Sequence, residues 1–309
     1  MTNRGAWKKI RSYLSSYGPC VQRPSRMAHA GSGRTRRLGN ESLAVNFGGR
    51  MPTDSDIDVR GCKIHVRRGG HGDPLLFLHG AQGLSGWEPV LAALAESFDV
   101  IAPDHPGFGQ SAIADGVDDV GDLSLFYFDV LEALGVSSLH VVGHCLGGWI
   151  AMEMAIRSTA RMKTLTLVAS AGLRLEGVPR ADMFICNQDD LVQLLFAGND
   201  ATSWQQVWHA SPEWEEIYDR NRFAAARFSW QPRLCNPKLA RWLHRIDVPT
   251  HIVWGEHDKV IPPAYAAGLK DRIAGATMTM VPACGHLPHV EQPGQVAAVA
   301  SQFIQRGAP

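Results

Sequence analysis

The 309-residue chain is 45% hydrophobic, enough for one large α/β domain with an insertion or for two small domains around a sizeable core. Formal charge is zero, yet residues 1–50 carry ten Lys/Arg against Glu41 alone, so that segment is +9 and the rest −9. An acidic body excludes nucleic acid as a partner by charge, and no run approaches the ~18 apolar residues of a membrane span.

Residues 1–50 are rich in Arg, Ser and Gly without sustained periodicity, too little apolar surface to offset ordering entropy. They are expected to be a basic, disordered extension with no catalytic role, or to precede a true start at Met51. No apolar stretch follows the basic residues as a secretory signal requires, and Arg36-Arg37 runs into polar Gly39-Asn40-Glu41-Ser42, unlike a twin-arginine signal. Six cysteines without a CxxC pair give neither a zinc site nor a disulfide framework. Reduced thiols and a cytoplasmic location are the expectation.

The rhythm changes at Asp56. DIDVRG and CKIHVRRGG read as a hairpin turning at Arg60-Gly61, and PLLFLHG (74–80) as a strand buried on both faces. WEPVLAALAES (87–97) is a helix, FDVIAPD (98–104) a strand, and DLSLFYFDVLEALG (122–135) an amphipathic helix stopped by Gly135. SSLHVVGH (137–144), LGGWIAMEMAIRS (146–158) and KTLTLVAS (163–170) continue as strand, helix, strand. After a gap, THIVWGEHD (250–258), PAYAAGLKDRI (263–273), TMTMVPACGH (277–286) and GQVAAVASQFIQR (294–306) resume the alternation. Eight strands separated mostly by helices predict an α/β fold, a mostly parallel sheet with helices on both faces. Residues 172–247 lack buried-strand runs, hold helical text such as DDLVQLLFAG and carry five of nine tryptophans. They predict a helical cap inserted between core segments 51–171 and 248–309, closing over the carboxyl edge of the sheet, where open α/β sheets bind ligands.

GHCLGGW (143–149) sits where a strand meets a helix. A sharp strand-to-helix turn needs small neighbours, supplied by Gly143, Gly147 and Gly148, and lifts the side chain of Cys145 above the sheet at a helix N-terminus, a setting that favours thiolate. The alternative for Cys145 is a small buried hydrophobe. A nucleophile needs a base and the base an orienting acid, in chain order nucleophile, acid, histidine. Asp258 in IVWGEHDKVIP and His286 in ACGHLPHVEQP fill that order; Glu256 and His289 are their decoys. Backbone N–H groups of Leu146 and of Ala81, or Gln82, are the expected oxyanion donors. His79, Asp104 and Ser111 read as turn-shaping residues. The candidate substrate pocket takes in Gln82, His144, Trp149, Trp208, Trp230 and His289, with Trp149 also a packing residue of the elbow helix. Phe184, Phe196, Phe223 and Phe228 are either apolar lining or packing, and Arg222, Arg227 and Arg233 either carboxylate ligands or a solvated face.

From the LHG loop through DHPGFGQS, GHCLGG, WGEHDKVIP and GHLPHVEQP, residues 56–306 resemble the α/β-hydrolase fold superfamily, in its capped esterase and carbon–carbon hydrolase branch. The elbow alone is similar to the GxCxGG of dienelactone hydrolases, where most members of the superfamily carry serine. The resemblance implies a small-molecule ester-like substrate and no metal or organic cofactor. The expected function is hydrolysis of a carboxylic ester, lactone or thioester through an acyl-cysteine, with acyl transfer, C–C hydrolysis or a non-catalytic ligand receptor as alternatives.

Overall fold

The computed structural model describes residues 50–198 and 214–307. The expected extension over residues 1–49 therefore lies outside the described residues, as does Trp208. Strand β1 (Arg50–Val59) begins one residue inside the stretch read as extension, and turns through Arg60 and Gly61, both at positive φ, into β2 (Cys62–Gly70). The remaining strands are β3 (Pro74–Leu78), β4 (Asp99–Pro103), β5 (Leu139–His144), β6 (Met162–Val168), β7 (Thr250–Gly255) and β8 (Thr277–Val281). They form one eight-stranded sheet in the order β1-β2-β4-β3-β5-β6-β7-β8. Strands β1, β2 and β4 pair antiparallel, and from β4 onward every neighbour is parallel.

Continuous apolar text becomes strand here because each strand feeds two cores. Leu76 and Leu78 of β3 point into one cluster, Leu75 and Phe77 into the other; Ile252 and Trp254 of β7 oppose Val253 in the same way. Helices α1 (Pro89–Ala95) and α8 (Pro293–Gly307) cover one face, and α2 (Val120–Ala133) and α3 (Leu146–Arg157) the other. Local chemistry sets their ends: proline opens α1, and the Asp119 carboxylate accepts from Asp122 N–H at 2.9 Å to cap α2.

Between β6 and β7 the chain leaves the sheet. The described part of this insertion holds α4 (Gln188–Leu195), capped by Asn187, and α5 (Trp214–Ser229), then two 3₁₀ turns at Leu239–Arg241 and Leu243–Arg245. Its far end returns to its start: Gly172 N–H donates to Leu234 O at 3.0 Å and Asn236 N–H to Gly172 O at 2.9 Å. Helix α6 (Ala264–Lys270) links β7 to β8, and a four-residue helix α7 (Pro288–Glu291), not anticipated from the sequence as a separate element, precedes α8. The strand order reverses between β3 and β5, and the loops after β3, β5, β7 and β8 deliver Ala81, Cys145, Asp258 and His286 to the carboxyl edge.

Candidate active site

Cys145 caps α3 with φ 48° and ψ −109°, a conformation that costs energy in any residue with a Cβ. Surrounding bonds hold it there. Its N–H donates to Val168 O at 3.0 Å, while its carbonyl accepts from Trp149 N–H at 3.1 Å and Ala171 N–H at 3.0 Å. The turn crosses the end of β3 so closely that a Cβ on Gly147 would lie 2.0 Å from Leu78 O, so no larger residue fits. Sequence-level spacing had required a small residue here, and this backbone contact is why.

His286 is fully buried beside it. Its Nδ1–H donates to Asp258 Oδ2 at 2.9 Å, and the other carboxylate oxygen, Oδ1, accepts from Val260 N–H at 2.9 Å and Ile261 N–H at 2.8 Å. Asp258 is thus a buried acid with its acceptors satisfied, fixing both the tautomer and the plane of the imidazole. His286 Nε2 is buried without a well-formed hydrogen bond, and the group it couples to is the Cys145 sulfur. Burial acts most strongly on the imidazole and lowers its pKa, but Asp258 and Cys145, by charge and by hydrogen bonding, together outweigh burial and push it up to about 10.

The loop that presents His286 is clamped from three sides. His286 N–H donates to Leu195 O of α4 at 2.8 Å, His144 Nε2–H to His286 O at 3.0 Å, and Glu291 accepts from Gly285 N–H at 2.6 Å and Ala197 N–H at 3.0 Å. Glu291 was not singled out by sequence reasoning; the acid in HVEQP was its only trace. His289 packs on His144 with ring centroids 4.1 Å apart, and burial drives its pKa down to about 3, so it stands beside the site as a neutral ring.

The loop after β3 rests on a second pair of buried rings. His79 Nδ1–H donates to Gly80 O at 2.7 Å, and its Nε2 accepts from His105 N–H at 3.0 Å. His105 in turn donates Nε2–H to His79 O at 2.9 Å and hydrogen-bonds the Tyr127 hydroxyl through Nδ1. Burial pushes His79 down to about 3 and His105 well below its ordinary value, as this neutral pairing requires. Gly80 O also accepts from Gly83 N–H at 3.1 Å; because the Gly80–Ala81 peptide is planar and trans, Ala81 N–H points the opposite way.

A small cavity of about 30 Å³ adjoins Ala81, lined by Gln82, Met183, Phe184, Leu191, Tyr218, Asn221, Arg222 and Ala225. Of the residues read as pocket, Gln82 lines it. His144, Trp149, Trp230 and His289 do not: His144 and His289 pack under the His286 loop, Trp149 donates to Glu153 Oε1 at 3.1 Å, and Trp230 lies 3.5 Å beneath the Arg233 guanidinium. Trp149 and Trp230 are large apolar side chains, and packing against an element's own neighbours claimed them. Arg222 is on the lining, whereas Arg227 pairs with Asp118 at 3.1 Å and Arg233 with Asp182 at 3.4 Å. Asp104 and Ser111 take turn roles: Ser111 Oγ donates to Asp104 O at 2.8 Å. Tyr218 and Asn221 lacked any sequence signal. Among the described residues no three His, Cys, Asp or Glu are grouped to hold a metal, and no helix is long and apolar enough to cross a membrane.

A model of the alpha/beta hydrolase family matches residues 75–299. The chain is 28% identical to the dihydrolipoyllysine-residue acetyltransferase component of the acetoin cleaving system of Cupriavidus necator, over 80% of this chain and 68% of that protein. It is 26% identical to 2-hydroxymuconate semialdehyde hydrolase of Pseudomonas sp., over 81% of this chain and 93% of that one. Among solved structures, a serine hydrolase involved in carbazole degradation superposes with a TM-score of 0.67 at 24% identity, covering 83% of this chain and all of that chain.

Proposed function

The chain belongs to the alpha/beta hydrolase family, and from that premise we propose that it hydrolyses a carboxylic ester, lactone or thioester through an acyl-cysteine. One observation carries the reading: His286 is bonded to a buried carboxylate through Nδ1 while Nε2 is left to the Cys145 sulfur alone. This is the nucleophile–base–acid arrangement, with sulfur in the first place.

In the proposed cycle the Cys145 thiolate attacks the carbonyl carbon, forming a C–S bond and moving the C=O electron pair onto oxygen. Backbone N–H groups of Ala81 and Leu146 receive that oxyanion, Ala81 being aimed by the two bonds to Gly80 O. Collapse breaks the bond to the leaving oxygen, which takes the proton from His286 Nε2. Once sulfur is acylated its charge is gone, and with it part of what raised the imidazole's pKa, so neutral His286 can take a proton from water. The resulting hydroxide attacks the thioester, and thiolate leaves as the acid forms. Helices α4 and α5 serve as a lid over this edge.

Intact-protein mass spectrometry after mixing with a panel of acyl esters tests the reading. An acyl-sized adduct mapped to Cys145, and its loss in Cys145→Ala together with turnover, is the expected result; turnover by the alanine variant would refute it. A second reading is favoured by the semialdehyde hydrolase likeness. That named substrate contains no ester, so its hydrolysis must break a carbon–carbon bond, and the same triad could do so here on a carbonyl compound. Product analysis with a β-diketone separates the two.

A further inference from the structure

We propose that Glu291 is a positioning residue that latches the end of cap helix α4 to the loop carrying His286, so that the cap and the catalytic base hold their places as one unit; this rests on the hydrolase reading above. The carboxylate reaches both ways. Its Oε1 accepts from Gly285 N–H, next to the base, at 2.6 Å, and its Oε2 from Ala197 N–H, just past the end of α4, at 3.0 Å. A second rung lies beside it, where His286 N–H donates to Leu195 O at 2.8 Å. The two segments meet backbone to backbone: a Cβ on Gly285 would lie 2.6 Å from Leu195 O and 2.8 Å from Ala197 N, so no side chain fits between them.

The end of α4 depends on this joint. A helix leaves its last carbonyls without partners of its own. At Phe196 the chain passes from α4 into extended backbone, with no turn to fold back over them. Phe196 N–H takes Val192 O at 3.2 Å, but Gln193 O receives Lys259 Nζ at 3.1 Å and Leu195 O receives His286 N–H. Both of these last donors come from the loops that carry Asp258 and His286. The Asp258 loop also grips the His286 loop directly. Cys284 O accepts from His257 N–H at 2.8 Å, and a Cβ on Gly255 would come within 2.6 Å of Cys284 O. The loop of the base is therefore held jointly by the acid's loop and by the cap, and the Glu291 side chain spans the cap joint. Without that carboxylate the amides of buried Gly285 and of Ala197 lose their acceptors, and the Leu195–His286 bond is left to hold the joint.

The experiment follows p-nitrophenyl butanoate hydrolysis, imidazole NMR of His286 and amide exchange in Glu291→Gln and Glu291→Ala. Glutamine keeps one acceptor in the same volume; alanine keeps none. Relative to the unmodified protein, kcat is expected to fall about tenfold in the first and about 100-fold in the second, with KM within about twofold, as a catalytic group displaced by ~1 Å would produce. The His286 midpoint, which burial lowers but Asp258 and Cys145 push up to about 10, should fall in the same order as the ring moves off those partners. In Glu291→Ala, exchange should quicken together at Gly285, at His286 and in the last turn of α4. A residue that merely stabilised the fold would lower Tm in both variants while the midpoint, and kcat taken well below unfolding, stayed put; that result overturns the proposal. So does faster exchange confined to one side of the joint. Should Glu291→Ala not fold, Glu291→Gln decides through kcat and the midpoint. Each of these outcomes leaves the hydrolase intact. Absence of hydrolysis and of any Cys145 adduct in the unmodified protein removes the hydrolase reading, and the role of Glu291 with it.

Discussion

Asp258 and Cys145 together outweigh burial in setting how tightly His286 holds its proton. A raised His286 pKa means that the folded protein holds the imidazole proton more tightly than the unfolded chain does. The sign follows: stabilisation from the charged ring is complete below its ordinary value near 6.5 and is lost as pH rises through about 10. Urea midpoints of the unmodified protein should therefore fall between pH 7 and pH 10 by more than those of His286→Gln. Cys145→Ala removes one of the causes that raise the ring and should lower its titration midpoint by imidazole NMR, while Asp258 still holds Nδ1. Asp258→Asn should leave the fold in place and cut turnover by about 10³–10⁴-fold, because the asparagine amide reverses the tautomer that exposes Nε2 as base.

Elements with a strong period were legible from sequence: the parallel strands, α2, α3 and α8 lie within a few residues of their expected bounds, while the first hairpin strand starts six residues ahead of Asp56. The placement of Cys145, Asp258 and His286 at one edge of the sheet was legible because each follows a strand. What escaped was chemistry between elements. Asn221 sits inside α5, where a lone polar residue reads as solvated face, yet it is 2% exposed and bridges Gly109 and Gln82, 112 and 139 positions away. No periodicity encodes such a bond. Its loss should be measurable at the scale of the element: Asn221→Ala leaves a buried N–H and C=O unpaired, a cost of about 1–3 kcal/mol in denaturant unfolding. Since the same bond positions the Ala81–Gln82 loop, kcat should fall further than KM changes. A variant that loses stability with kcat intact would separate α5 from the Ala81–Gln82 loop.

At the scale of the molecule, one buried ion pair ties the antiparallel edge of the sheet to the loop that carries His79 and Ala81. Arg67 of β2 donates from Nη1 to Asp104 Oδ1 at 2.7 Å, and Asp104, fully buried at the end of β4, also accepts from Gln110 N–H at 3.0 Å. His105, whose N–H donates to the His79 ring, is the next residue. Sequence text showed the Gly/Pro turn after β4 but not its counter-charge, which arrives from a strand 37 residues earlier. Desolvating both charges makes the pair's net contribution small, whereas removing one partner strands the other charge in a buried site. Arg67→Met should therefore destabilise by about 3–5 kcal/mol, a shift of roughly 6–20 °C in Tm for a domain of this size. In urea the midpoint should fall at unchanged slope, the mark of lost stability in an otherwise similar fold. If the pair acts only on the scaffold, turnover per folded molecule survives; if it also sets the His79–His105 support of the Ala81 loop, kcat falls at temperatures well below unfolding, and active-site titration of the Cys145 thiol distinguishes the two.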